Sequence, residues 1–331
     1  MKVRLVTLLL LVLVVFTGCE SSIDKQALLE KAKLYFKPLP DKMPGSENDT
    51  EALIALGKDL YFEKGLSANG EQSCNTCHSL DQGKAGVDNE ATSPGVKGER
   101  GDRNSPTVLN AGFHTAQFWD GRAKDLVEQA GGPILNPVEM AMKDSAAVEA
   151  FLRQSDVYQA RFKTAFADQD DPISYTNLTL ALAAFERTLI TRDRFDDFLN
   201  GDLEALTEEE SRGLEVFISS NCITCHNGPT IGGNLYQKSG LVNAYKHQSD
   251  IGRFAITEKD GDKFYFKVPS LRNIALTAPY FHDGKIRTLA EAVKEMGWMQ
   301  IGMELTDAEV ESIVTFLHAL SDKEISAKRK S

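Results

Sequence analysis

Apolar residues recur along most of this chain with a period near 3.6, which predicts a helical protein with very little strand. From Glu51 the apolar positions Leu53, Leu56 and Leu60 run at helical spacing into Tyr61-Phe62. A second helix opens at Thr207-x-x-Glu210, a capping box in which the threonine and glutamate side chains satisfy each other's backbone N–H groups. It carries Leu214, Val216 and Phe217 towards Cys222. Gly57-x-x-Leu60-Tyr61-Phe62 and Gly213-x-x-Val216-Phe217 align as one diverged unit used twice. Asp144–Phe166 and Tyr175–Leu199 are helical by period, the latter with a strongly apolar face at 181–185. Thr306-x-x-Glu309 caps a closing helix whose stripe is Val310, Ile313, Val314, Phe316, Leu317 and Leu320. Lys263–Val268 is the best candidate for a short hairpin. Residues 79–105, Gly-rich and polar, read as a long loop of the kind that serves a site.

The first residues follow a different rule. Lys2 and Arg4 precede the apolar run Leu5–Phe16 and then Thr17-Gly18-Cys19, the layout of a signal peptide. The run is short for a membrane span of about 20 residues. Gly-Cys at its end resembles a bacterial lipobox, which makes Cys19 the expected lipidated first residue. Simple cleavage and an uncleaved anchor are the alternatives. Glu20 lacks the Asp signal for inner-membrane retention, so a periplasmic protein anchored to the outer membrane is expected. Residues 20–48 form a helical start and a Pro-, Asp- and Gly-rich lead-in.

Composition narrows the function classes. The 331 residues carry 37 Lys+Arg against 48 Asp+Glu, a net charge of −11. That balance argues against a nucleic-acid binder, which must neutralise phosphates. Five cysteines are present. Setting Cys19 aside leaves Cys74-Asn-Thr-Cys77-His78 and Cys222-Ile-Thr-Cys225-His226. C-x-x-C-H is the attachment signature of c-type haem: two thiols for the porphyrin, one imidazole for the iron. Disulfides would not require a histidine after each pair. A zinc site needs its four ligands close together, whereas these pairs lie in opposite halves of the chain. A thioredoxin-like site would need a βαβ pattern, which is missing. Two covalently bound haem c groups are therefore expected.

The segments around these motifs read Arg103-Asn-Ser-Pro-Thr-Val-Leu-Asn110, Gln117-Phe-Trp-Asp-Gly-Arg-Ala123 and Glu128-Gln-Ala-Gly-Gly-Pro-Ile-Leu-Asn-Pro-Val-Glu139-Met140. Later come Leu276-Thr-Ala-Pro-Tyr-Phe-His-Asp-Gly284 and Met296-Gly-Trp-Met-Gln-Ile-Gly302. From about residue 47 to 320 the chain resembles the bacterial dihaem cytochrome c peroxidases. The resemblance implies a mostly α fold of two cytochrome c-like haem domains in tandem. A peroxidatic domain is expected over 49–200 and an electron-transfer domain over 201–331, with the last helix packing back on the first domain. It also implies reduction of hydrogen peroxide to water, with electrons from a small donor protein of the cytochrome c or blue copper type, and a homodimer.

Carried over by position, His78 and His226 are proximal iron ligands and Met296 is the axial partner of the second haem. Met299 and Met303, at helical spacing from it, are the alternatives. Glu139 matches the catalytic acid, Gln129 the amide that orients peroxide, and Trp119 the aromatic between the haems, which packing alone would also explain. Asn104, Thr277 and Pro279 match a calcium site of one side-chain oxygen and two carbonyls, donors suited to a hard cation.

One position departs from the family. Many members block the resting N-terminal haem with a histidine in the loop before Arg-Asn-Ser-Pro; here that position, between Gly95 and Lys97, holds Val96. Valine cannot bind iron, so an open N-terminal haem is expected, with Lys97 and Met140 as the conceivable substitute ligands. Of the other histidines, His114 reads as structural, His282 lies near the second haem, and His247 and His318 read as surface or helix residues. Two rival functions remain: a non-enzymatic electron carrier, and a dihaem oxidase that modifies a protein substrate. The oxidases have tyrosine where this chain has Met296.

Overall fold

The computed structural model describes residues 22–330; the signal segment and Cys19 lie outside the described residues. The first half contains α1 (Lys25–Lys33), α2 (Glu51–Phe62), α3 (Cys74–Cys77), α4 (Leu126–Leu135), α5 (Ser145–Arg153), α6 (Asp156–Ala165), α7 (Tyr175–Glu186) and α8 (Arg194–Leu199). The second contains α9 (Glu208–Ser219), α10 (Phe254–Thr257), α11 (Leu289–Met296), α12 (Asp307–Ala319) and α13 (Lys323–Lys330). The protein is mostly α, as its periodicity predicts, and residues 79–105 form no helix or strand. Among the described helices none is long and apolar enough to cross a membrane.

Both expected capping boxes form, at Thr207/Glu210 and Thr306/Glu309. The duplicated unit is visible as two equivalent helix crossings, α2 on α7 and α9 on α12. At each crossing a glycine allows backbone contact. A Cβ on Gly57 would lie 1.9 Å from the Ala181 carbonyl oxygen and 2.9 Å from Phe185 Cβ. A Cβ on Gly213 would lie 2.0 Å from the Ser312 carbonyl oxygen and 2.8 Å from Phe316 Cβ. Each partner pair is spaced i, i+4, one turn of the facing helix.

Two hydrophobic cores follow. Leu56, Leu60, Phe162, Leu178 and Leu182 belong to the first, and Leu214, Phe217, Ile313, Phe316 and Leu317 to the second. The second core also takes Leu28, Leu29 and Phe36 from the N-terminal segment and Phe195 and Phe198 from α8. The closing helix reaches the other way: Arg329 Nε donates to the Gly83 carbonyl at 2.5 Å, and Ile325 packs against Ala85, Leu109 and Leu276.

The expected local hairpin at 263–268 needs correction. Tyr265–Lys267 is a strand (β2), but its antiparallel partner is the distant Tyr236–Lys238 (β1), with Tyr236 opposite Lys267. Lys267 N–H also donates to the Trp119 carbonyl at 2.7 Å. The strand thus joins two segments far apart in sequence instead of folding on its neighbour.

Candidate active site

Cys74 and Cys77 sit three residues apart on the single turn of α3, a spacing that puts both thiols on one face. His78 follows as the C-cap; its Nδ1–H donates to the Pro106 carbonyl at 2.9 Å, while Tyr61 Oη holds the His78 carbonyl at 2.5 Å. In the second half, His226 Nδ1–H donates to the Ile231 carbonyl at 3.2 Å. With Nδ1 protonated, each ring turns a bare Nε2 towards a metal. Burial lowers the pKa of both imidazoles, His226 to about 4, and keeps them in the neutral form that ligation requires. All four cysteines are free thiols with partly exposed side chains. The donor set therefore fits two thioether-linked haems, one per C-x-x-C-H motif.

Cys222, Cys225, His226 and Met296 line one largely apolar cavity. Met299 lines it too and is 2% exposed, whereas Met303 is 39% exposed and lies outside it. Between them α11 passes into a π-helical turn over Gly297–Ile301. Such a turn inserts a residue into the helical register and often marks a functional site. The cavity continues past Trp119 to Asn104–Thr107, the segment whose Pro106 holds His78. Trp119 is half-buried there; its Nε1–H donates to the Asn104 carbonyl at 2.9 Å and its ring meets His282 edge-on at 6.3 Å.

Glu139 stands in the turn after α4. Burial raises its pKa above the usual carboxylate value; a hydrogen bond from Asn136 Nδ2 to Oε1 (2.8 Å) and the charge of Arg122 partly offset this. It acts electrostatically on Cys77, which places it by the first haem motif. Gln129, on α4, is half-buried and its amide makes no hydrogen bond within the protein. Val96 N–H donates to the Glu139 carbonyl at 2.9 Å, and Gly95 is packed so closely that a Cβ would lie 2.0 Å from the Val138 carbonyl oxygen. Lys97 is exposed and Met140 is buried in the first core.

Asn104 and Pro279 do come together: Asn104 Nδ2 lies 3.2 Å from the Glu90 carbonyl and 3.3 Å from that of Pro279. The Thr277 and Pro279 residues line the same cavity as Asn104. Half a turn of the amide would turn Oδ1 towards the Glu90 and Pro279 carbonyls, neutral oxygens of the kind that a hard cation accepts.

Three features escaped the sequence reading. Arg122 was not singled out, yet its charge bears on Glu139 and its guanidinium lies 3.5 Å from the Phe118 ring centroid. A buried ion cluster, Arg103 with Asp250 and Asp120, joins the two halves at 2.5–2.9 Å. Lys267 and His114 line the second haem cavity. Arg103, Asp120 and Arg122 lie in strings that carry the resemblance but received no role there, His114 read as structural, and nothing in the local pattern marked Asp250 or Lys267.

A di-haem cytochrome c peroxidase family model matches residues 51–204, and a cytochrome c model matches 210–321. The chain is 45% identical over 309 residues to cytochrome c551 peroxidase of Pseudomonas aeruginosa, covering 90% of this chain and 87% of that protein. It is 47% identical over 271 residues to cytochrome c551 peroxidase of Nitrosomonas europaea, covering 81% and 80%. A solved MauG-like protein associated with microbial copper homeostasis superposes with a TM-score of 0.77 at 30% identity, covering 88% of this chain and 96% of that one.

Proposed function

The chain belongs to the bacterial di-haem cytochrome c peroxidase family and is a peroxidase with two c-type haems, and from that premise we propose how its halves divide the reaction. Hydrogen peroxide is reduced at the N-terminal site, and electrons from a small cytochrome c or blue copper donor enter at the C-terminal site. When bound, the haems supply the iron that exchanges electrons with peroxide and donor. Two electrons and two protons convert one peroxide to two waters as the O–O bond breaks.

The chain's own residues manage the protons. Glu139 would take a proton from one peroxide oxygen and return it to the departing one, a transfer that suits a carboxyl whose pKa burial has raised. Gln129, with its amide unengaged, orients peroxide by hydrogen bonding. Asn136 fixes the Glu139 rotamer through Oε1. The charge of Arg122 draws the carboxyl back towards its ionised form. His226 and Met296 would hold the electron-entry iron, where a methionine ligand would raise its potential and favour electron uptake. Trp119 bridges the halves. Asn104, Thr277 and Pro279 would hold calcium at the seam.

The observation that carries the reading is the bond from Val96 N–H to the Glu139 carbonyl. It sets a residue without metal-binding atoms against the proposed acid, while Lys97 is exposed and Met140 packs into the first core. A haem iron held by His78 would then lack a second protein ligand from this loop in the fully oxidised enzyme. Export to the periplasm, Cys19 lipidation with outer-membrane anchoring, and a homodimer complete the proposal.

Rapid-mixing absorption spectroscopy with stoichiometric hydrogen peroxide tests it, on the oxidised holoenzyme and after addition of one electron per chain. The open site predicts immediate reaction of the oxidised form. Reaction of the half-reduced form alone would mean that another group blocks the iron. No reaction in either state would replace the enzyme with an electron carrier.

A further inference from the structure

Among the described residues, buried cations are matched by acids, with one exception in the second haem cavity. Arg272 is fully buried and pairs with Asp193 and Asp196 at 2.5 and 2.8 Å. Arg103 pairs with Asp120 and Asp250. Lys267, 7% exposed on β2, has no carboxylate partner. Its one side-chain neighbour by hydrogen bonding is His114 Nδ1, 3.3 Å from Nζ, contributed by the other half of the chain.

That contact fixes the imidazole tautomer. An ammonium only donates, so Nδ1 accepts and the ring proton sits on Nε2. His114 Nε2 is buried without any partner. The ring is held in place: a Cβ on Gly233 would lie 2.4 Å from His114 Cδ2, and Thr115 N–H donates to the Gly233 carbonyl at 2.8 Å. Burial brings the Lys267 pKa down to about 8 and, with the Lys267 charge, holds His114 well below its usual value. A buried ammonium without a carboxylate and a buried N–H without an acceptor thus lie side by side, and leaving such groups unmet is costly.

Both side chains line the cavity that contains Cys222, Cys225, His226 and Met296. Haem c uses its vinyl groups for the thioethers and its iron for the axial ligands, which leaves two propionate carboxylates to be met by protein. We propose that Lys267 and His114 together form the binding point for one propionate of the C-terminal haem, through an ion pair to Nζ and a hydrogen bond from Nε2–H. The inference rests on the two-haem reading. It puts the propionate at the seam between the halves, beside Trp119, whose carbonyl accepts from Lys267 N–H.

The test uses holoenzyme with Lys267→Met, Lys267→Arg, His114→Phe and His114→Gln. Resonance Raman spectroscopy reads the propionate bending mode, and a spectroelectrochemical titration reads the C-terminal midpoint. Removing the cation favours the ferric form, so Lys267→Met should lower the ferrous-to-ferric ratio at fixed poise about tenfold, while Lys267→Arg stays near wild type. His114→Phe should shift the bending mode without a comparable change in midpoint, because it removes a donor and no charge. Unchanged propionate mode and midpoint in both Lys267→Met and His114→Phe, with two haems per chain, would overturn the proposal and leave the peroxidase reading intact. If Lys267→Met fails to mature, the two His114 variants decide: wild-type bending modes in both would overturn it. A wild-type chain with fewer than two c-haems would remove both.

Discussion

Two desolvated glutamates show how surroundings separate the proposed proton acceptor from a carboxyl held protonated. Glu139 is desolvated but keeps a hydrogen bond from Asn136 and the field of Arg122. As a proton acceptor it must be ionised when peroxide arrives, so the peroxide rate should fall as pH drops through its raised pKa. Glu139→Gln should lose roughly 10²–10⁴-fold in that rate and lose the acidic limb with it; stopped-flow rates across pH measure both. A variant that keeps the limb would assign it to another group. Glu186, 6% exposed, is pushed up to about 8 by burial, with only Arg187 opposing. The folded state therefore binds a proton that the unfolded state has released, and its stabilising effect is lost as pH rises from the ordinary carboxyl range through about 8. The slope from this one group reaches about 1.4 kcal/mol per pH unit. Glu186→Gln should flatten the loss of stability between pH 6 and 9 by that order; chemical denaturation of holoenzyme across the range checks it, and parallel curves would refute it.

At the scale of elements, the two glycine crossings explain why the repeat was readable. Gly57 and Gly213 are fixed by backbone contact, so the constraint survives where side chains have diverged. Gly57→Ala and Gly213→Ala should each cost roughly 1–3 kcal/mol by overpacking, with helix propensity offsetting part of it. Gly261→Ala, where a Cβ meets nothing within 4 Å, serves as the control. Equal melting temperatures for all three would mean that the crossings relax freely. The capping boxes were legible for the same local reason. The β1–β2 pairing was not, because an isolated three-residue strand carries no information about a partner elsewhere in the chain. Nor did the methionine spacing separate Met296 from Met299, since the π-helical turn after α11 breaks the register that periodicity assumes.

Across the whole molecule, the haem motifs were readable because each is contiguous, whereas the seam is assembled from residues that share no local pattern. Arg103 and Asp250 are widely separated in sequence, as are His114 and Lys267, and their pairing exists only after folding. α1 packing in the second core and α13 reaching Gly83 in the first half tie the ends of the chain across the same seam. Such an arrangement should unfold as one unit. Arg103 is its principal charged joint: bidentate to Asp250 at 2.6 and 2.9 Å and bonded to Asp120 at 2.5 Å, with all three side chains mostly buried. Arg103→Met leaves Asp250 without its cation and Asp120 dependent on Arg122, whose own side chain is 40% exposed. Removing one partner of a buried pair costs about 3–5 kcal/mol. Because that cost falls on the joint and spares both cores, wild-type holoenzyme should show one calorimetric transition and Arg103→Met two, with each haem domain melting separately. Arg103→Lys should fall between them, since an ammonium cannot make the two parallel bonds to Asp250. A single transition in Arg103→Met, shifted little from wild type, would move the joint to the packing of α1 and α13.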